Sequence, residues 1–469
     1  MGVSEPQPRD WQEYLHSLAA FGMRPGLERV AALLERLDHP ERSFRAIHVV
    51  GTNGKSSTTR YAAAVLTASG LRSGAYLSPH IAGFEERVLV DGAPVAPNAL
   101  GDAVELVAAE SRTLPAELGP VTQFEVLTVA AFAALRAAGV EAAAIEAGLG
   151  GRLDATNVLA APVVVLTTIG LEHTEVLGDT RELIFAEKAA VIAPGADVVF
   201  GPLEGLEAAA EDVCARLGAR AHFLGRDVRL AGRPERFSVA LEGERFVDLS
   251  VPTPALYQTV NAGLAVAACR LLSGGLAPAA VRRALAATVV PGRLQIAGHE
   301  PLVVADGAHN PHGLAALADA LAALARPAPR VGVFAIMADK AVDEMLGLLL
   351  PLVDIVVCSQ ASESRSLTAG LLARRVEALG SGAVYEEPEP EAAVALARRL
   401  AGREGSVLIA GSLYLLSDLA DLLGYGEPGD AATREDAGVR EDAATREDAG
   451  TREDGGTRGD GEPRGGGVY

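Results

Sequence analysis

Among its charged residue types this 469-residue chain has least of lysine: of 41 Lys plus Arg, only Lys55, Lys188 and Lys340 are lysine. Arginine holds the generic basic positions, so each remaining lysine marks a place where a compact ammonium or a reactive amine is required. Asparagine is scarce too, and four of its five positions (Asn53, Asn157, Asn261 and Asn310, with Asn98 the exception) fall in the motifs below. Cysteine occurs three times, at Cys214, Cys269 and Cys358, without metal-type or redox spacing. These read as buried thiols in a reducing compartment. No apolar run reaches membrane-spanning length without a charge, and the polar N-terminus lacks the basic flank and apolar core of a signal peptide. The expected location is the cytoplasm. Aromatic residues make up 4% against 49% hydrophobic, so the interior is expected to be mostly Ala, Val and Leu. A net charge of −20 argues against nonspecific binding to nucleic acid or an anionic membrane. It leaves room for an anionic substrate met by local basic groups.

The chain is organised around residues 45–59, Arg-Ala-Ile-His-Val-Val-Gly-Thr-Asn-Gly-Lys-Ser-Ser-Thr-Thr. An apolar strand ends at Val50, a glycine turn follows, and Lys55-Ser56-Ser57 opens a helix that stops near Gly70. Glycines let backbone N–H groups close on an anion, and the helix N-terminus adds its positive end. Lys55 would reach the β- and γ-phosphates and a serine hydroxyl would ligate Mg²⁺. The common P-loop has glycine five places before its Gly-Lys pair, where this chain has Val49. An ordinary strand-to-helix turn is the alternative.

Upstream, residues 10–38 read as two helices joined at Pro25-Gly26-Leu27. Downstream, Ser78-Pro79-His80 ends a short strand, and Thr122-Gln123-Phe124-Glu125 leads into an alanine-rich helix. The densest polar patch follows. A buried strand ends in Glu146, a glycine-rich loop carries Arg152, Asp154 and Asn157, a second buried strand covers 163–169, and Glu172-His173 lies just beyond it. Ligands of open α/β sheets bind outside the carboxyl ends of strands. Glu146 and His173 are therefore expected to end adjacent strands beside the P-loop. Glu146 alone reads equally as a salt-bridged strand end, and His173 as a loop residue; with the P-loop they read as a Mg²⁺ site. A helix is expected from Asp179, with Glu182 completing its capping box, and it carries Lys188.

A small β region over 229–249 precedes a helix bearing Asn261, either a nucleotide contact or a cap. Pro291-Gly292-Arg293 breaks the chain, and strands at 302–305, 331–336, 355–358 and 407–411 read as a second, smaller doubly wound unit. Its first strand ends in Asp306-Gly-Ala-His309-Asn310-Pro311. The expected architecture is α/β: a P-loop domain with a mostly parallel sheet over 1–290, a Rossmann-like domain over 291–425, and a charged, low-complexity tail over 426–469 expected to be disordered.

These motifs, in this order, resemble the folylpolyglutamate synthase/dihydrofolate synthase branch of the Mur ligase superfamily over about residues 10–425. The resemblance implies an ATP-dependent ligase in which a substrate carboxylate is phosphorylated and L-glutamate attacks the acyl phosphate. It implies that Gly51, Thr52, Asn53, Gly54, Lys55, Ser56 and Ser57 hold ATP, with Asn261, Arg293 and Asp306 contacting it from the neighbouring helix and second domain. Ser57, Ser78, Glu146 and His173 match Mg²⁺ ligands. Pro25, Gly26, Leu27, Thr122, Gln123, Phe124, Glu125, Leu153, Asp154 and Ala155 match segments for the pterin substrate, dihydropteroate or a reduced folate; Ser412 is a further substrate candidate. Lys188 matches a lysine that this family carbamylates, and His309 is the candidate for glutamate or the reaction centre.

Ser56 stands where the branch commonly has glycine, Glu172 where it has aspartate, and Ala190 where it has glycine. The first departure leaves open which serine meets the metal. The rival expectations are a cell-wall Mur ligase, which carries a separate N-terminal domain for its nucleotide-sugar substrate, and a nucleotide-binding regulator without activity. Neither nucleic acid nor membrane is an expected partner, and the chain is expected to act as a monomer.

Overall fold

The strand that feeds the phosphate loop, β1 (Arg45–Val50), runs through the middle of an eight-stranded sheet in a computed structural model that describes residues 11–18, 24–380 and 382–425. The other strands are β2 (Ser73–Tyr76), β3 (Val88–Val90), β4 (Ala93–Pro94), β5 (Ala142–Glu146), β6 (Val163–Leu166), β7 (Asp197–Phe200) and β8 (Arg220–Phe223). Their order is β4-β3-β2-β5-β1-β6-β7-β8, parallel throughout from β2 to β8, with β3 and β4 antiparallel at one edge. Strands β2, β5, β6 and β7 are buried along their whole length, the pattern expected of a parallel sheet covered on both faces. β5 and β6 flank β1 on opposite sides, so Glu146 and His173 do not end adjacent strands as the sequence suggested. The P-loop strand lies between them.

One face of this sheet is covered by α1 (Trp11–Leu18), α2 (Glu28–Arg36), α4 (Pro97–Ser111) and α5 (Gln123–Ala137), which share a core with Tyr76, Ala143 and Ile145. The other face takes α3 (Lys55–Ala68), the helix opened by the P-loop, against α9 (Leu256–Ser273). Their contact is made largely of small residues, among them Ala62, Ala262 and Ala265, and the Cys269 thiol reaches the Ala62 carbonyl at 3.4 Å. Alanine here combines the best helix propensity with a side chain small enough for close approach. A three-stranded antiparallel sheet, β9 (Arg229–Arg233), β10 (Arg236–Leu241) and β11 (Glu244–Leu249), places Phe237, Val239, Leu241, Phe246 and Leu249 in the same core as α9 and α10 (Pro278–Ala287). Between β6 and β9 the chain also forms α6 (Thr174–Leu177), α7 (Arg181–Ala189) and α8 (Glu207–Leu217), whose core with Val50, Val164, Val198 and Phe200 covers the rest of the first face.

A six-stranded sheet follows: β12 (Gln295–His299), β13 (Leu302–Ala305), β14 (Arg330–Phe334), β15 (Ile355–Cys358), β16 (Ala383–Glu386) and β17 (Ser406–Ala410), in the order β12-β13-β17-β14-β15-β16. Only β12 is antiparallel. β13 leads through Asp306–Asn310 into α11 (Pro311–Ala322). Edge strands β12 and β16 were not anticipated, because their residues are mostly half-exposed or exposed and carry no apolar run. The helix expected from Asp179 instead has Thr180 as its N-cap, with the hydroxyl accepting from the Leu183 N–H at 3.3 Å; no box with Glu182 forms. Among the described residues no helix is long and apolar enough to cross a membrane. The charged repeat expected to form a disordered tail lies outside the described residues.

Candidate active site

A cavity of about 390 Å³ opens between the carboxyl ends of the two parallel sheets. Its floor is the phosphate loop. Gly51 has φ +147° and Gly54 φ +90°; a Cβ at Gly51 would collide with Thr167 Oγ1, and one at Gly54 with Asn261 Oδ1. Both positions thus require glycine for conformation and for space. Gly54 is the N-cap of α3, whose first turn has no acidic residue, so the positive helix end is left for an anion. Lys55 Nζ rests on the Gly51 and Thr52 carbonyls, both at 3.0 Å. Thr52, Asn53, Gly54, Lys55, Ser56 and Ser57 all line the cavity.

Glu146, at the end of β5, is 1% exposed and lines the same cavity. Its carboxylate accepts from Ser56 Oγ at 2.8 Å and from the Ser78 N–H at 3.2 Å. Burial pushes its pKa up, opposed by the charge of Lys55 and by these two hydrogen bonds. The hydroxyl touching Glu146 is therefore that of Ser56. Ser57 Oγ is buried with no hydrogen-bond partner. Ser78 and His173 also face the cavity, His173 from a left-handed turn (φ 47°) that begins α6. A carboxylate, orphaned or weakly held hydroxyls and phosphate oxygens make a donor set that suits Mg²⁺, which keeps several ligands from water and substrate. Among the described residues no three His, Cys, Asp or Glu side chains gather into a complete metal site.

Lys188 sits on α7 at 1% exposure, behind the loop rather than in the cavity wall. Its Nζ donates to the Gly51 carbonyl at 2.8 Å and to Glu172 Oε1 at 3.1 Å. Burial lowers its pKa to about 8, against the raising effect of Glu172. Glu172 is held below the usual carboxylate range by Lys55 and Lys188, which together outweigh its own burial.

The opposite wall comes from the second sheet. Asp306 is 2% exposed and accepts from the Leu294 N–H (2.7 Å), the Ala308 N–H (2.8 Å) and Tyr257 Oη (3.0 Å). It ties the Arg293 turn to the loop after β13. His309 Nδ1 donates to the Gly307 carbonyl at 2.9 Å, and burial lowers its pKa to about 4, leaving a neutral ring with Nε2 as free acceptor. Ser412 is buried and caps the helix Leu413–Asp418, accepting from the Tyr414 N–H at 3.0 Å. Asn261, Arg293, Asp306, His309 and Ser412 all line the cavity.

The expected pterin segments do not. Pro25, Gly26, Leu27, Thr122, Gln123, Phe124, Glu125, Leu153, Asp154 and Ala155 are absent from the cavity wall. Thr122 and Glu125 form the capping box of α5, and the Glu125 carboxylate is paired with Arg29 at 2.8 Å. Gln123 Nε2 donates to the Leu15 carbonyl at 2.9 Å. Asp154, 6% exposed, accepts from Leu149 N–H, Thr156 N–H and Thr156 Oγ1 within its own loop. Phe124 and Asp154 come nearest to the cavity: the Phe124 ring packs on Gly148 and Asp154 holds the Leu149 N–H, and both Gly148 and Leu149 line it. These segments form the scaffold next to the cavity, and Leu153, at 48% exposure, points to solvent.

Sequence reasoning missed three contributors. Lys340 and Arg365 line the cavity from the loops after β14 and β15, with Tyr414 Oη accepting from Arg365 at 3.2 Å. Lysine scarcity flagged Lys340 without giving it a role. Arg29 was also missed. It is 8% exposed, and besides Glu125 it donates to the Leu118 and Arg24 carbonyls, drawing the two expected substrate segments together.

A family model described as the glutamate ligase domain of Mur ligases matches residues 292–413. The chain is 36% identical over 376 residues to the dihydrofolate synthase/folylpolyglutamate synthase of Mycobacterium tuberculosis, covering 74% of this chain and 77% of that protein. It is 35% identical over 414 residues to a probable bifunctional folylpolyglutamate synthase/dihydropteroate synthase of Haloferax volcanii, covering 86% of this chain but 49% of that longer protein. The chain thus spans about half the length of this archaeal relative. A bifunctional folylpolyglutamate synthase/dihydrofolate synthase from Yersinia pestis, solved with AMPPNP and Mn ion, superposes with a TM-score of 0.80 at 30% identity over 90% of this chain and all of that one. With a phosphate loop, a buried carboxylate and a second α/β sheet meeting at one cavity, and with relatives of this identity and coverage, the chain belongs to the folylpolyglutamate synthase/dihydrofolate synthase family of Mur-type ligases.

Proposed function

We propose that this chain uses ATP to join the amino group of L-glutamate to the carboxylate of dihydropteroate, of a reduced folate, or of both. The observation that carries this reading is the polarity of a single cavity. A phosphate cradle of Lys55 and the α3 N-terminus forms one wall, and the cations Lys340 and Arg365 stand on the other, suited to an amino acid with two carboxylates. A carboxylate oxygen of the pterin substrate attacks the γ-phosphorus held at the phosphate loop, and the bond to ADP breaks. The glutamate amine then attacks the acyl carbon, the C–O bond to phosphate breaks with its electron pair leaving on the phosphate, and the amine gives up a proton. The protein needs no covalent nucleophile for this; it positions the reactants and neutralises charge. His309, neutral and with Nε2 free, offers an acceptor to the incoming ammonium. Glu146, Ser78, His173 and the P-loop serines would hold Mg²⁺, which supplies charge neutralisation at the phosphates.

Two finer readings accompany it. Lys188 is the seat of a carbamate, formed when its neutral amine adds to CO₂ and loses a proton. A pKa of about 8 supports this, since it leaves a usable fraction of free amine near neutrality. Lys55, which acts electrostatically on both Lys188 and Glu172, would offset the second anion beside Glu172. The division near residue 290 is supported by the separate cores of the two parallel sheets. The proposed acting state is a monomer, and the three buried free thiols fit a cytoplasmic setting.

The test is ADP release by the purified protein with ATP, Mg²⁺ and L-glutamate, with dihydropteroate or tetrahydrofolate as acceptor. Glutamate-dependent release with at least one acceptor is expected. Release with neither, from a protein that binds ATP, overturns the reading.

A further inference from the structure

Two of the five asparagines meet beside the cavity, where the phosphate loop touches the start of α11, and the reaction scheme gives their side chains no task. Asn53 belongs to the phosphate loop and Asn310 is the N-cap of α11 in the second sheet's layer. Asn53 Nδ2 donates to Asn310 Oδ1 at 3.2 Å, and Asn310 Nδ2 donates back to Asn53 Oδ1 at 3.1 Å. The second hydrogen of Asn53 Nδ2 goes to His312 Nδ1 at 2.8 Å, and the His312 ring also lies against Gly170. The Asn53 amide is therefore wholly engaged by the opposite lobe rather than turned to a ligand.

Both ends of this bridge are anchored. The Asn53 backbone N–H donates to Thr168 Oγ1 at 3.0 Å, and its carbonyl accepts from Thr167 Oγ1 at 2.7 Å, which fixes the loop to the end of β6. Asn310 is 4% exposed, and its Oδ1 also accepts the Gly313 N–H at 2.7 Å as the helix cap. Asn310 directly follows His309, so moving the start of α11 moves His309 too. A reciprocal amide pair fixes rotation as well as distance, because each partner is donor and acceptor at once. It also carries no net charge, so it does not compete with Lys55 for phosphate.

We infer that Asn53 and Asn310 are positioning residues: a neutral amide latch that docks the start of α11, and with it His309, in register with the phosphate loop. Without it the two halves of the cavity still form but lose their alignment. Serine is a good N-cap yet too short to reach Asn53, so Asn310→Ser separates capping from latching.

The experiment compares the full-length protein with Asn310→Ser, Asn53→Ala and the double variant. Asn310→Ser is expected to keep its melting temperature while kcat falls about tenfold, the size of effect that a small misplacement of reacting groups produces. The KM for ATP should change far less. The double variant should be no slower than Asn53→Ala, because a latch broken at one end is already open. The kinetic arm rests on the ligase reading. Hydrogen exchange does not: Asn310→Ser should raise amide exchange in residues 51–55, on the opposite lobe from the substitution. Losses that multiply in the double variant, wild-type turnover in Asn310→Ser, or unchanged exchange at 51–55 would each overturn the latch. A wild-type protein without turnover but with the exchange response would sink the ligase reading alone.

Discussion

Lys188 and Glu146 show how far burial sets the chemistry of single residues here. Both are 1% exposed, so each charge persists only through its partners: Gly51 and Glu172 for the lysine, Ser56, Ser78 and Lys55 for the carboxylate. Glu146→Gln keeps shape and hydrogen-bonding capacity but removes the anion. Turnover that depends on Mg²⁺ should fall by at least about a hundredfold with the fold intact by circular dichroism, the loss of several kcal/mol of charge stabilisation. Wild-type rates with Mg²⁺ would remove Glu146 from the metal site. For Lys188 the decisive change is to arginine, which keeps the charge but stays protonated and cannot form a carbamate. Lys188→Arg should therefore be inactive, and a ¹³CO₂-derived carbamate signal should be present in wild type only. The proposed carbamate would carry a pH signature as well. With a pKa of about 8, free amine rises from about one tenth at pH 7 to half at pH 8, so CO₂-stripped protein should regain activity about fivefold faster at pH 8. Normal turnover by Lys188→Arg would leave the residue as the cation that holds Glu172.

At the scale of elements, the segments around α2 and α5 act as a frame beside the cavity, and Arg29 joins them. Its guanidinium meets Glu125, Leu118 and Arg24, while Glu125 also closes the capping box of α5 through the Thr122 N–H at 2.7 Å. Removing one partner of a buried ion pair strands the other, at a cost of about 3–5 kcal/mol. Arg29→Leu should lower stability by about that much in urea unfolding. Adding Glu125→Gln, which keeps the cap and discharges the stranded carboxylate, should recover part of the loss; no recovery would mean that packing, not charge, is what Arg29 supplies. The same elements show what was legible beforehand. The phosphate loop, the strand ending at Glu146 and α9 were readable because glycine spacing, an unbroken apolar run and helical length are local signals. Lys340 and Arg365 were not, since only the strand order of the second sheet brings the loops after β14 and β15 to the cavity. The Thr122–Glu125 stretch, expected to meet substrate, forms the capping box of α5; a capping box and a binding motif draw on the same residue types, so the sequence alone does not separate them. Edge strands β12 and β16 lacked the apolar run that marks buried strands.

For the molecule as a whole, the cavity is the seam between two hydrophobic systems. One packs on the eight-stranded sheet and the other on the six-stranded sheet, with Ile81 and Ala255 crossing from the first part of the chain into the second core. The polar crossings among the described residues are few: Asn53 with Asn310 and His312, the Tyr257–Asp306 bond at 3.0 Å, and Ser417 Oγ to the Ile81 carbonyl at 2.5 Å. A nucleotide that reaches from Lys55 and Asn261 to Arg293 and Asp306 would add contacts on both sides of the seam at once. Binding to the folded state alone stabilises by about 2.7 kcal/mol at a hundredfold excess over Kd. The two lobes should then melt together, in one transition raised by a few degrees, when a non-hydrolysable ATP analogue and Mg²⁺ are present. Inorganic triphosphate, which can fill the phosphate loop but not the Tyr257–Asp306 wall, should stabilise the first lobe without merging the transitions as fully. Scanning calorimetry separates these outcomes. Equal effects from analogue and triphosphate would mean that the nucleotide is read by the phosphate loop alone and that Arg293 and Asp306 only shape the wall.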